Sequence, residues 1–237
     1  MKYIDRSKVD EPANLQRQVE PTSGAAVQKS IYAHADVKNA LNQLQHGICC
    51  YCESRYDVTS YGEVEHFCPK NGWQQDKTDV NLHQPGYYWL AYKWENLMYA
   101  CKRCNCKYKQ NYFPLKDPRK RFKPEVRDIS EEEPLLINPY EEKHPEQHLK
   151  FDGTSIIALT EKGEVSIEYY GLDREELNEE RRGAYNDVDA FVDILDIALA
   201  QGVDIEPIKD KLKERVINKI AEGQHTLMIK CNFGKYL

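Results

Sequence analysis

Two cysteine pairs and one short polar cluster carry the residues best suited to chemistry. Cys49 and Cys52 form one CxxC, Cys101 and Cys104 a second, and 48 residues lie between them. Four thiolates from two such knuckles make a closed tetrahedral zinc site, which can order segments too small to build their own core. The interval is far longer than a zinc ribbon uses, so a module clamped at its base is expected there. Pairing Cys50 with Cys52, or Cys104 with Cys106, would leave one residue between ligands and suit a knuckle turn less well. Cys50, Cys68, Cys106 and Cys231 are then spare thiols, expected as small buried hydrophobes. A thioredoxin-like redox pair is the competing reading of CxxC, but no βαβ pattern surrounds either one.

Inside the clamped interval, GEVEHFCPK (62–70) packs two carboxylates, a histidine and a proline into nine residues. Histidine's ordinary pKa of about 6.5 suits it to taking a proton from water near neutral pH. Neighbours in a regular strand point to opposite faces, so Glu65 and His66 can serve one centre only where the strand is irregular. Pro69 supplies that irregularity, because it ends ladder pairing. Glu63 shares Glu65's face by period-two alternation.

The elements needed to position these groups can be sketched from pattern. The first 25 residues, with prolines, charges and a Thr22-Ser23-Gly24 turn, read as an extended arm. Ala25 to Gln45 reads as a helix with one packed face (Val27, Ile31, Val37, Leu41, Leu44), ended by Gly47. Residues 49–110 hold the chemical centre, with a helix after Cys104. Tyr87, Tyr88, Trp89, Tyr92 and Trp94 are expected as core, although they could stack on bases. Glu131–Pro134 reads as a polar hinge. A small hairpin follows, from Phe151 through Ser155–Leu159 and Val165–Tyr169. Amphipathic helices then begin after Leu172, with Asp173 as N-cap, and again near Glu206, with Ile208, Leu212, Val216 and Ile220 on one face. The expected segments are 1–45 (arm and helix), 46–125 (core with knuckles) and 126–237 (hairpin and helices).

Charge is uneven. The chain of 237 residues carries −6, yet Lys102 to Lys123 holds nine basic residues against one acid, Asp117. Nucleic-acid contact would therefore be confined to that strip. Lys102, Arg103, Lys107 and Lys109 are the candidates, the last two projecting from the helix after Asn105. No apolar run approaches the about 18 residues of a membrane span, and the charged start lacks a signal-peptide core. A cytoplasmic protein with no membrane partner is expected, where thiols favour metal over disulfide. His34, His46, His83 and His225 read as ordinary packing or surface residues.

The ordered set CCYCE (49–53), VEHFCPK (64–70), WENL (94–97) and CKRCN (101–105) resembles the HNH endonuclease motif with paired zinc knuckles. MKYIDRS, KQNYFPL (109–115), PLLINPYEE (134–142), HLKFDG (148–153) and ALTEKGEVSIEYYGLDREEL (158–177) extend the similarity to the HNH subunit of Septu-type and retron-linked antiphage systems, the PtuB-like proteins. The resemblance implies an α+β chain with a ββα-metal core, a hairpin followed by a helix around one divalent ion. It implies His66 as general base, Glu65 and Asn105 as ligands to a catalytic Mg²⁺ or Mn²⁺, and Asn96 tying hairpin to helix. Glu63 is the rival ligand or a supporting partner. Oxygen donors suit those ions better than a second zinc. The resemblance further implies a metal-dependent endonuclease, the effector of a defence complex with a PtuA-like ATPase. In retron versions a reverse transcriptase and its small DNA–RNA product join it. A zinc-stapled binding module without catalysis is the alternative.

Overall fold

The computed structural model describes residues 1–56 and 62–237. Its elements are small, and their order is α1 (Ala13–Gln16), α2 (Lys29–Tyr32), α3 (Ala35–Gln45), β1 (Glu63–His66), β2 (Leu97–Ala100), a helical segment Arg103–Lys109, β3 (Leu149–Asp152), β4 (Ser155–Ala158), α4 (Glu161–Tyr170), α5 (Glu175–Ala200), α6 (Glu206–Glu222) and α7 (Thr226–Phe233). Two antiparallel pairs, β1–β2 and β3–β4, form the sheets among the described residues. The class is α+β, as expected.

β1 and β2 pair with Glu63 opposite Ala100, Glu65 opposite Met98 and His66 opposite Leu97. The chain then enters Arg103–Lys109, seven residues wound as a π-helix in which the Gln110 N–H reaches back to the Asn105 carbonyl at 2.8 Å. That wider turn is rare outside short functional bulges. Cys104 and Lys109 are the residues it buries. The 30 residues between the strands fold under the hairpin, and there Tyr87 and Trp89 pack against Phe122 at 4.5 and 4.6 Å between rings. All five aromatics expected as core are buried.

Several expected elements differ. The single helix over 25–45 is two, broken at Ala33 and His34. The His34 imidazole accepts a hydrogen bond from the Asp36 N–H and so caps α3, whose buried face is Val37, Leu41 and Leu44. The arm is docked rather than free, with Ile4 and Leu15 buried and the Arg6 guanidinium held 4.5 Å from the Trp94 ring and 4.0 Å from Tyr140. The polar hinge is pinned, because the Glu132 carboxylate accepts from the Tyr87 hydroxyl at 2.9 Å and the Phe122 N–H at 2.8 Å.

Val165–Tyr169 is helical, not a strand. Thr160 caps α4 through the Gly163 N–H, and Gly163, Ser166, Tyr169 and Tyr170 form its buried face. The alternation of Val165 and Ile167 imitated a strand, but the cap and the three- and four-residue spacing decide. Gly163 is required, since a Cβ there would stand 2.1 Å from the His148 carbonyl oxygen. Arg174, not Asp173, stands at the N-cap of α5.

Buried residues of all three sequence segments belong to one core cluster. Cross-links include Ile4 N–H to the Pro139 carbonyl at 2.8 Å and the Tyr140 hydroxyl to the Leu97 carbonyl at 2.9 Å. No helix among the described residues is long and apolar enough to cross a membrane.

Candidate active site and metal centre

Cys49, Cys52, Cys101 and Cys104 converge, with all four sulfurs within 4.8 Å of one another and all four side chains buried. The Cys52 and Cys101 sulfurs are 3.8 Å apart. A tetrahedral zinc with Zn–S bonds of about 2.3 Å separates its ligands by about that distance, so the donor set fits zinc. Amide donors already point at two of the sulfurs: Cys101 N–H at 3.3 Å from Cys49 Sγ, and Cys104 N–H at 3.5 Å from Cys101 Sγ. Arg174 adds a guanidinium 3.6 Å from Cys104 Sγ. Of the spare thiols, Cys50 and Cys68 are buried as expected. Cys106 and Cys231 are exposed, which corrects that expectation for both.

Nearby, Glu65, His66 and Asn105 line one cavity of about 360 Å³, together with Lys70 and Cys106. His66 is the last residue of β1, and its Nε2 lies 2.9 Å from the Ala91 carbonyl oxygen. A carbonyl only accepts, so Nε2 carries the proton and Nδ1 keeps its lone pair. Lys70 Nζ donates to Nδ1 at 3.3 Å. Burial, reinforced by the Lys70 charge, holds the imidazole well below its ordinary pKa, with the Ala91 bond opposing. The ring is therefore a neutral base.

Glu65 is buried, with Oε1 accepting from the Lys109 ammonium at 2.7 Å and from the Tyr51 hydroxyl at 3.2 Å. Lys109 also donates to the His66 carbonyl at 3.0 Å. Lys109 is thus fully enclosed and does not project towards solvent, a correction to its expected role on nucleic acid. The π-turn, by adding a residue to the helical circuit, rotates it inward. Lys102, Arg103 and Lys107 are exposed, and Arg103 pairs with Glu176 at 2.8 Å. Arg121, counted in the basic strip, is also interior, donating to the Tyr87 hydroxyl and the Phe113 carbonyl.

Asn105 faces Glu63 and not Glu65. Its Nδ2 donates to Glu63 Oε2 at 3.3 Å, and Cys106 Sγ donates to the same oxygen at 2.8 Å. Glu65 and Asn105 line this cavity and Glu63 the neighbouring one, oxygen donors of the kind that hard cations take. Asn96 accepts from Cys68 N–H at 2.7 Å and donates to the carbonyls of Cys68 and Leu90. It ties the end of β1 to the turn at Leu90, where the resemblance implies a tie to the helix. Tyr51 and Lys70 had no distinguishing signal beyond their place beside CxxC and EHFCP. Tyr51 stacks on Tyr170 of α4 at 3.8 Å between rings, which fixes its hydroxyl on Glu65.

An open carboxylate–imidazole cavity set against a buried four-cysteine centre defines an α+β protein whose reactive groups are stapled in place. Over 169 residues, 70% of its length, the chain is 46% identical to the Septu protein PtuB of Bacillus mycoides strain KBAB4. It is 28% identical over 146 residues to the Septu protein PtuB of Bacillus thuringiensis, and 28% identical over 142 residues to the Septu protein PtuA of Bacillus mycoides. The matches take in 61% and 60% of this chain. The chain belongs with the PtuB-like Septu proteins, as its motifs imply. It spans 56% and 44% of the two PtuB proteins and 20% of the PtuA protein, about half or less of the relatives it matches. No family model matches the chain.

Proposed function

We propose that this chain is a metal-dependent HNH endonuclease, a hydrolase of nucleic-acid phosphodiesters and the effector of a Septu-type antiphage complex. The observation that carries the reading is the tautomer of His66: its Nε2–H is spent on the Ala91 carbonyl, which leaves the Nδ1 lone pair in the cavity that Glu65 and Asn105 share.

In this reading, water beside Nδ1 gives its proton to His66 as its oxygen attacks phosphorus, and the bond to the leaving sugar oxygen breaks, that oxygen taking a proton from solvent. A divalent ion held by Glu65 and Asn105, with Glu63 as alternative carboxylate, would supply charge neutralisation at the phosphate. Lys70 stands within reach of the same phosphate, and an anion there would draw its ammonium off the imidazole. Lys102, Arg103 and Lys107 hold flanking backbone. Asn96 and Tyr51 position the strand end and Glu65. The cysteine centre holds the base of the hairpin and the start of the π-helix in register, a structural role for zinc.

A PtuA-like ATPase is the proposed partner, with the exposed apolar side chains Ile194, Ile197, Val203 and Ile217 of the α5–α6 region as its docking surface. A retron reverse transcriptase with its DNA–RNA product is a further proposed partner, and the cytoplasm the proposed location. The second reading, a non-catalytic zinc-stapled binding module, is favoured by one observation: Glu65 already has a buried cation, Lys109, as partner.

Co-expression with the neighbouring ATPase and a cleavage assay with Mg²⁺ or with chelator tests the proposal. Wild type cuts only with the metal, and His66→Ala, folded and with its zinc, does not. Equal cutting by the two proteins would overturn the role of His66, and no cutting by wild type with metal and partner would leave the binding module standing.

A further inference from the structure

Beside the Glu65–His66 cavity lies a second, of about 550 Å³, which shares Val64, Lys70 and Asn105 with it. Lys29 from α2, Lys38 from α3, Lys70 and Lys102 line it, and Glu63 is its one acid among the described residues. That carboxylate already accepts from Asn105 and Cys106. Some surface lysines of this −6 chain pair with acids, as in Lys77 with Glu168, Lys93 with Glu20 and Lys116 with Glu133, and others do not. Among the described residues, Lys29, Lys38 and Lys102 form no such pair. Lys70 sits 4.7 Å over the Tyr32 ring, which orients its ammonium between the two cavities.

Four like charges gathered with one engaged carboxylate repel one another, so the arrangement is most stable with an anion between them. The cations come from four separate stretches of the chain. Lys102 also lines a third cavity, of about 640 Å³, with Arg103 and Lys107. An extended polyanion matches that spread better than a single phosphate.

We infer that the Lys29–Lys38–Lys70–Lys102 cavity is a phosphate-backbone subsite that seats a nucleic-acid strand beside His66, with α2 and α3 supplying its outer wall. The subsite's placement next to a cleaved phosphate rests on the nuclease reading, whereas its binding of nucleic acid does not. Lys29 and Lys38 lie outside every motif of the hairpin, so their contribution separates from the chemistry.

The test is fluorescence anisotropy on the full chain with a labelled single-stranded DNA and an RNA of the same sequence, over a salt series. Lys29→Gln with Lys38→Gln keeps both aliphatic stems. Two lost phosphate contacts lower the slope of log affinity against log salt by about 1.4, at about 0.7 per contact on single strands. Zinc content and melting temperature stay at the wild-type values. An unchanged slope and affinity in the double variant overturns the subsite, as does wild type that binds neither oligonucleotide. Inorganic phosphate that displaces the strand completely at low millimolar concentration also overturns it, by reducing the cavity to a single-anion pocket. The DNA and RNA arms show which backbone is preferred. His66→Ala, measured in parallel, binds like wild type and does not cut. If it cuts while the lysine variant loses binding, the assignment of His66 as general base fails and the subsite stands. If neither wild type nor His66→Ala cuts while the lysine variant loses binding, the nuclease reading fails and the subsite stands.

Discussion

The two sites that adjoin the β1–β2 hairpin, one presenting a closed face and the other an open one, solve opposite problems. On one, four cysteines are drawn within 4.8 Å and sealed from solvent. On the other, Glu63, Glu65, His66 and Asn105 are held apart around open cavities, each restrained by a different neighbour: Asn105 and Cys106 for Glu63, Tyr51 and Lys109 for Glu65, Ala91 and Lys70 for His66. A closed site contributes stability because every ligand is satisfied by one ion. An open one leaves donors for a substrate and must borrow its rigidity. The hairpin transmits that rigidity, since Cys101 follows β2 directly and Cys104 begins the π-turn that carries Asn105 and Lys109.

The comparison breaks most visibly at the closed face. Stripping the metal with a strong chelator, or Cys104→Ser, should remove much of an apparent binding free energy of about 10 kcal/mol. Circular dichroism and elemental analysis should then show loss of folded structure together with loss of one zinc per chain. Retention of the full melting temperature without zinc would make the centre dispensable.

At the open face the expected losses are functional. His66→Ala should lower the cleavage rate about 10²- to 10⁴-fold, the usual worth of a general base. The protein should stay folded with its zinc, despite a lower melting temperature from the buried bond lost at Ala91. Lys109→Met leaves Glu65 buried without its cation and should cost about 3 kcal/mol by urea unfolding. If that variant is instead as stable as wild type, Lys109 is not what restrains Glu65. Tyr51→Phe removes one hydrogen bond and should cost about 1 kcal/mol, with a larger proportional effect on divalent-ion dependence of cleavage than on folding.

The smallest predicted effect is on pH. Because His66 is held below its ordinary value, it stays neutral as pH falls through about 6.5, where a free imidazole would gain its proton. The acid limb of the cleavage profile should therefore lie below that pH, and Lys70→Met should move it upward by removing the neighbouring positive charge.

Much of the closed face was legible because its signal is local. A CxxC places two sulfurs on one knuckle whatever surrounds it, and only one pairing of the knuckles keeps that geometry. The aromatic core under the hairpin and the α6 face likewise follow from short-range pattern, whereas the α+β class followed from the resemblance. The helix at Glu161–Tyr170 did not, because alternating Val165 and Ile167 suit a strand, and only the Thr160 cap with the contact of Gly163 on His148 selects a helix.

The open face divides differently. Residue types and spacing marked the Glu63–His66 cluster, and the resemblance to the HNH motif chose Glu65, His66 and Asn105. Tertiary structure decided which ring nitrogen of His66 keeps its lone pair, that Asn105 pairs with Glu63, and that Lys109 turns inward while Lys29 and Lys38 arrive from separate helices. The physical reason is range. A knuckle or a cap is fixed by residues within a few positions of each other, whereas a tautomer, a buried ion pair or a cluster of lysines depends on partners dozens of residues away, brought together only when the core closes.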